Sequence, residues 1–455
     1  VGVTGSGRAG HSLPLGPRLP KYVQSMLYLR YREWFLPLLR KRFGDVFSLH
    51  VPPYADDLVV FAAPEAIGEI FRADPHVLHA GEGNQILGAV LGEHSVLLVD
   101  EDAHRRVRGL LMPAFNGAAL RQYRAMITDQ ARAEVVSWAP NTEIAMLAAM
   151  NRLTLDIIIT VVFGVTDPAT KSELVDRLRA IINISPAIFA GFRFPVLQRI
   201  PPWKGFADNQ ARIDAILYRE IASRRAAADL ASRGDVLSRL IRSDGDAIGD
   251  PLTDAELRDQ LVSLLLAGHE TTAAALAWTL WELARHPESQ SAARAAASRG
   301  DDKYLDAAFK EGLRRHSVIV STARKLTQPM TIGGHRLPLG TVVNTSILLA
   351  HNDPRNHRQP DEFRPERFLG TSPPPNTWLP FGGGVRRCLG AGFATTEATV
   401  ILAEILTRWE LHATGAAESA RVRNITTVPR HGAVLRVTPI EPRTEAGGAA
   451  QANTL

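Results

Sequence analysis

Cysteine is all but absent from this chain: one residue, Cys388, stands among 455. A lone thiol allows no intramolecular disulfide, and a reducing compartment, the cytoplasm, is the expected setting. Lysine is scarce too, with seven in all, so arginine carries most of the positive charge. The excess of basic over acidic side chains is only +5. That is too dilute for nucleic-acid binding, which needs clustered cations. Uninterrupted apolar runs of about 18 residues do not occur, so no membrane span is expected. Nor does the N-terminal stretch have the apolar core of a signal peptide. The apolar turn at residues 22–29 is interrupted by Gln24 and stopped at Arg30. It reads as a packed helix, or at most as one resting on a membrane surface. With 45 % hydrophobic and 22 % charged residues, collagen-like, wholly disordered and disulfide-scaffold classes are excluded.

What is present points to a helix-rich globule. Residues 1–19 and 442–455 are poor in large apolar side chains and are expected to be flexible. Between them, 20–441 carries no linker or repeat and reads as a single domain. Asp45–Pro52 and Asp57–Ala63 alternate like strands. Helical spacing dominates from about His104 onward, most clearly at Leu120–Trp138, Met146–Phe163, Pro168–Ile182, Asp208–Arg225 and Val236–Arg242. Strand character returns at Met330–Ile332, Thr341–Ser346 and Ala433–Thr438. The expected fold class is mainly α, with a small and mostly antiparallel β portion built from sequence-distant strands.

One segment predicts an unusually long central helix. Thr253 and Glu256 form a capping box, and periodicity runs to Arg285 before His286-Pro287 stops it. At 1.5 Å per residue such a helix spans roughly 48 Å. Its middle, Leu261–Ala277, is apolar on nearly every face and must be buried, yet it contains Ala267-Gly268-His269-Glu270-Thr271-Thr272. Buried carboxylate, imidazole and hydroxyl groups are costly unless satisfied or used. The bland alternative is helix packing at Ala-Gly, with the threonines bonding back to the preceding turn.

Cys388 lies in Trp378-Leu-Pro-Phe-Gly-Gly-Gly-Val-Arg-Arg-Cys-Leu-Gly-Ala-Gly392. The three glycines allow close backbone approach or positive φ. Helical periodicity over Leu389–Trp409 places the thiol just before a helix N-terminus, and with two arginines beside it the thiolate is expected. A lone cysteine is often only a small buried hydrophobe. A nucleophile would need a spaced His partner, and zinc would need three or four N/S ligands. Axial ligation of haem iron needs one thiolate, room for a flat macrocycle and cations for two propionates, and fits these residues best.

Phe381-x-x-Gly384-x-Arg386-x-Cys388-x-Gly390 resembles the haem-binding signature of the cytochrome P-450 monooxygenases. Three further segments match in order: the Ala267–Thr272 motif, Glu311-Gly-Leu-Arg314, and Pro365-Glu-Arg367-Phe368. The resemblance spans roughly Leu15 to Thr438. It implies a long central helix over haem b (iron protoporphyrin IX), with Cys388 as the iron ligand and Phe381 packed beside the sulfur. Glu270 and Thr271 would deliver protons to O2, the co-substrate, beside Gly268, while His269 falls at the motif's variable position. Glu311, Arg314 and Arg367 would form a structural network. His104, Arg108, Arg324 and Arg386 would hold the propionates.

The implied activity is insertion of one oxygen atom into a hydrophobic small molecule, such as a lipid, terpenoid or steroid. Electrons would come from a separate ferredoxin and its NAD(P)H-dependent reductase, since no flavin or ferredoxin domain fits in this chain. Arg105, Arg106 and Arg387 would meet that donor. Ser317 stands where the family often has proline, in a segment expected to line an apolar cavity with Val318, Ile319, Val320, Leu264 and Leu265. Residues 80–94, with several glycines, would form a mobile lid. A peroxide-driven enzyme and a non-turnover haem sensor remain as alternatives.

Overall fold

A computed structural model describes residues 13–164, 167–182, 196, 199–243, 250–415 and 417–440. The tail at 442–455 and residues 1–12 lie outside these. Residues 13–19, expected to be flexible, are held down. Ser48 N–H donates to the Leu15 carbonyl at 3.1 Å, and the Gln24 amide donates to the carbonyls of Pro17 and Leu19.

Helices form the body. The central helix, Asp254–Arg285, runs its full 32 residues and carries the expected capping box at Thr253 and Glu256. It crosses Met146–Phe163, another helix apolar on most sides. The two come close because Gly268 has no side chain: a Cβ there would stand 2.9 Å from Cδ1 of Ile158. Both helices have the length and hydropathy of a membrane span, and both are 72 % buried within the protein. The helix Ala391–Leu406 packs against Gly117–Val136 and Asp302–Arg315, closing the core around the central helix.

Strands flank this body. The largest sheet orders Val46–Val51, Ala55–Phe61, Val342–Ser346, Ser321–Leu326 and Leu78–His79. Most pairs are antiparallel, as expected, but Leu58–Phe61 runs parallel to Val342–Thr345. A three-stranded sheet orders Thr142–Ala145, Val434–Pro439 and Trp409–Ala413, all antiparallel. Two hairpins complete the β portion, Met330–Ile332 with His335–Leu337 and Ala420–Arg423 with Thr426–Pro429. Gly333 and Gly334 turn the first, both at positive φ.

Candidate active site

The loop before Cys388 is built on close approach. Gly382 and Gly384 adopt positive φ. A Cβ on Gly383 would strike the Phe71 ring at 2.2 Å, and one on Gly384 the Phe71 carbonyl oxygen at 2.2 Å. The glycines therefore let this loop nest against Phe71. The Cys388 N–H closes the turn onto the Phe381 carbonyl at 2.8 Å. Phe381 stands edge-on to Trp378, whose indole N–H donates to the Lys310 carbonyl.

Cys388 is an exposed residue, although protein surrounds its thiol closely. Burial raises its pKa, and the Gly390 amide, Arg108 and Arg387 oppose this without reversing it. The thiolate expected from the sequence is therefore not the resting state of the unliganded thiol. Coordination to a metal deprotonates such a thiol outright.

Two other segments bear on the site. Within the buried central helix, Leu264, Ala267, Gly268 and Thr271 keep solvent access, while Leu261, Leu265, His269 and Thr272 have almost none. Their spacing of i, i+3, i+4 and i+7 makes one open stripe. Residues 94–99 join this helix to the cysteine loop. Ser95 Oγ lies 2.6 Å from Ser263 Oγ, Gln260 bonds the backbone of Val96 and His94, and Arg386 donates to the carbonyls of Val96 and Val99.

The sequence-predicted cations gather here. His104 and Arg108 come from the helix Glu101–Leu111, Arg324 from the strand Ser321–Leu326, and Arg386 from the cysteine loop. Burial, then Arg386, Arg108 and Arg324, push the His104 imidazole down to about 3. Burial and Arg386 lower Arg324 to about 10, and burial lowers Arg108 and Arg386 as well. Asp100, which the sequence reading missed, sits 2.5 Å from Arg386 and also accepts from Gly81 N and Glu82 N. One carboxylate against three guanidiniums leaves a surplus of positive charge close to an exposed cysteine. These residues fit haem: a thiol ligand, small residues on the helix stripe and in the cysteine loop, and guanidiniums in excess for two carboxylates.

Glu270 and Thr271 are adjacent in sequence but face different partners. Glu270 is buried, 2.8 Å from Arg423 Nε, and accepts from Thr426 at 2.9 Å. Thr271 lies on the open stripe and donates to the Ala267 carbonyl at 2.8 Å. His269 bonds the Leu265 carbonyl through Nδ1, its Nε2 is unpartnered, and burial lowers its pKa to about 4. Glu397, on the helix after the cysteine, is fully buried, and burial drives it well above the carboxylate range, opposed only by the Thr272 hydroxyl.

Glu311, Arg314 and Arg367 do meet. Two bonds of 2.8 Å join Glu311 to Arg314, and Arg367 Nε reaches the same carboxylate at 3.2 Å. Arg314 also donates to the carbonyls of His351 and Glu362. His351, likewise missed, is wholly buried. Its Nε2 accepts from Leu379 N–H at 2.8 Å and its Nδ1 lies 3.1 Å from Ser317 Oγ. Ser317 thus ties its own segment to the cysteine loop by a bond that proline could not make.

Several expectations need correction. Val318, Val320 and Leu265 belong to the core, leaving Leu264 and Ile319 with access. The path of the loop before Ser321 and the phase of the central helix decide this, and neither was fixed by sequence alone. Arg106 is not free for a partner protein, because it is bound to Glu256 at 2.6 Å and to the carbonyls of Asp250 and Pro251. The glycine-rich stretch 80–94 is pinned by Asp100 and by His94 bonding to Asp259.

Comparison with known proteins bears on this geometry. The family model described as Cytochrome P450 matches residues 14–429. A Mycobacterium tuberculosis protein provisionally named cytochrome P450 135A1 is 64 % identical over 429 residues, covering 94 % of this chain and 95 % of its own. A Mycobacterium bovis protein provisionally named cytochrome P450 135B1 is 40 % identical, covering 95 % and 93 %. The retinoic acid-bound cyanobacterial CYP120A1 structure superposes with a TM-score of 0.82 at 23 % identity, covering 94 % of this chain and all of that one. The cytochrome P450DA heme domain gives 0.80 at 24 %, covering 94 % and 98 %. The last two relationships establish the fold. With the first three findings, they place the chain among the cytochrome P450 monooxygenases, haem enzymes that activate O2, and it belongs to the cytochrome P450 family.

Proposed function

We propose that this enzyme inserts one atom of O2 into an apolar organic molecule of the lipid, terpenoid or steroid kind, in the cytoplasm, with electrons from a ferredoxin and its reductase. Cys388 would ligate the haem iron, and His104, Arg108, Arg324 and Arg386 would hold the propionates. Bound haem supplies the iron that binds and activates O2. The observation that carries the reading is the single exposed cysteine close to guanidiniums in excess, on a protein whose central helix keeps one accessible stripe.

The chain's own residues then divide the remaining work. Leu264 and Ile319 offer the substrate apolar surface, and the buried helix excludes water around it. Thr271 presents a hydroxyl on the open stripe and holds a proton there. Glu270, bound by Arg423 and Thr426, stands one residue before that position. Exposed Arg387 offers positive surface for an acidic donor protein, whereas Arg105 is paired with Asp102 and Arg106 with Glu256.

The first experiment is the ferrous–CO difference spectrum beside Cys388→Ser. A red-shifted Soret band lost in the variant is expected; haem-free protein under haem supply would refute the reading. The second is turnover with ferredoxin, reductase and candidate lipids. Thr271→Ala should then consume reductant without matching product, and unchanged coupling would favour the peroxide-driven alternative.

A further inference from the structure

The N-terminal helix, Lys21–Phe43, is apolar on two sides. Tyr28, Phe35, Leu36 and Leu39 enter the core, which accounts for the packed-helix expectation. The other side is bare: Tyr22, Met26 and Leu29 recur at i, i+4 and i+7. Beyond the non-helical residue Tyr31, Trp34 and Leu38 are exposed as well, so that the outer half of the helix is largely apolar. Tyr22 is 70 % and Trp34 52 % exposed. Ile425, at the tip of the neighbouring hairpin, is exposed as well, and its carbonyl is held by Arg32 at 3.1 Å. Scattered exposed apolar residues need no explanation, but this many on the outer half of one helix do.

Charge says what would cover it. Lys21, Arg30, Lys41 and Arg42 of this helix are exposed, and none has a carboxylate partner among the described residues. Its one acidic residue, Glu33, is turned inward, accepting from Thr427 at 3.3 Å. Lys21 and Arg30 sit 5.5 and 5.7 Å from the rings of Tyr22 and Tyr31. Exposed aromatic and aliphatic side chains accompanied only by cations are the composition of a segment lying in a bilayer interface. Packing two copies of this face together would oppose like charges.

We propose that this helix face docks the enzyme peripherally onto an anionic lipid surface. It does so by seating Met26, Leu29, Trp34 and Leu38 at the acyl boundary, with Lys21, Arg30, Lys41 and Arg42 at the headgroups. This is independent of the catalytic reading.

The test is sedimentation of the full haem-loaded chain with vesicles of phosphatidylcholine alone and of phosphatidylcholine mixed equally with phosphatidylglycerol. Binding to the mixed vesicles only is expected, weakened by high salt. The paired variant Lys21→Gln, Arg30→Gln should weaken it about fivefold per charge, and Trp34→Ser with Leu38→Ser at least about tenfold. All four positions are exposed, so an unchanged ferrous–CO spectrum certifies that the variants fold. Absence of binding, equal binding to neutral vesicles, or variants that bind like the parent would overturn the proposal. So would a dimer or protein complex abolished by these variants without any vesicle binding.

Discussion

Arg314 and Arg324 are both buried, yet their surroundings are opposite. Arg314 meets a carboxylate on two nitrogens, and two backbone carbonyls take its remaining donors. Arg324 donates to the Gly383 carbonyl and lies over the Phe71 ring, with Arg386 pressing on its charge and Asp100 the lone counter-charge in reach. The first arrangement is closed. It fastens the loop bearing Pro365–Phe368 to the helix Asp302–Arg315 and needs nothing further. The second is overcharged, and so is complete only when an anionic guest arrives. Buried arginine alone therefore says little about function; the balance of charge around it separates a fastener from a binding site.

Removing Glu311 should break this contrast most severely. Glu311→Ala leaves the buried Arg314 charge uncompensated and is expected to cost about 3–5 kcal/mol. Denaturant unfolding checks this, and an unchanged midpoint would remove Arg314 from the class of fasteners. Arg324→Gln should do the reverse. The haem-free protein should hold or gain stability as repulsion falls, while haem affinity drops at least about tenfold through loss of a charge-assisted bond. Transfer of haem to apomyoglobin reads the second quantity, and a destabilised apo form with unaltered transfer would contradict the overcharged description.

The smallest effect should be in pH. His104 has a folded pKa of about 3, below the ordinary 6.5, so the unfolded chain binds its proton first. The haem-free protein should therefore keep its full stability above about pH 6.5 and lose it as pH falls from there towards 3, at up to about 1.4 kcal/mol per unit for this one group. His269 and His316 act in the same direction. A guest that neutralises Arg108, Arg324 and Arg386 should restore basicity to His104 and flatten its share of the slope. His104→Gln should remove that share in the apo form alone, and an equal change in the loaded protein would argue against the cluster as an anion site.

Much of the frame was readable from residues. Met146–Phe163, Pro168–Ile182 and Val236–Arg242 run end for end where the spacing placed them, because an amphipathic or wholly buried helix writes its period into neighbouring positions. The capping box was legible for the same reason. Three consecutive glycines announced a tight loop, but Phe71 as the object approached was invisible, being more than three hundred residues away. The parallel pairing of Leu58 with Val342 left no local mark either. Nor could spacing reveal that Asp100 counters Arg386, that Arg423 turns Glu270 aside, or that Ser317 reaches the cysteine loop through His351. Each depends on a partner supplied by another part of the chain. Burial likewise outweighed the arginines and helix terminus that favoured the Cys388 thiolate, and burial is a property of the assembled fold.

The wide spread of the cation cluster has a consequence for biosynthesis. His104 and Arg108 leave the ribosome early, whereas Arg324 and Arg386 follow only near the end, and the Leu58–Val342 pairing that braces Arg324's strand waits equally long. Because domains assemble as the chain emerges from its N-terminal end, a nascent polypeptide has half a grip at most. With the proposed haem-holding residues spread this way, capture of the prosthetic group would be deferred until translation is nearly finished, and a truncated chain released early would carry no haem.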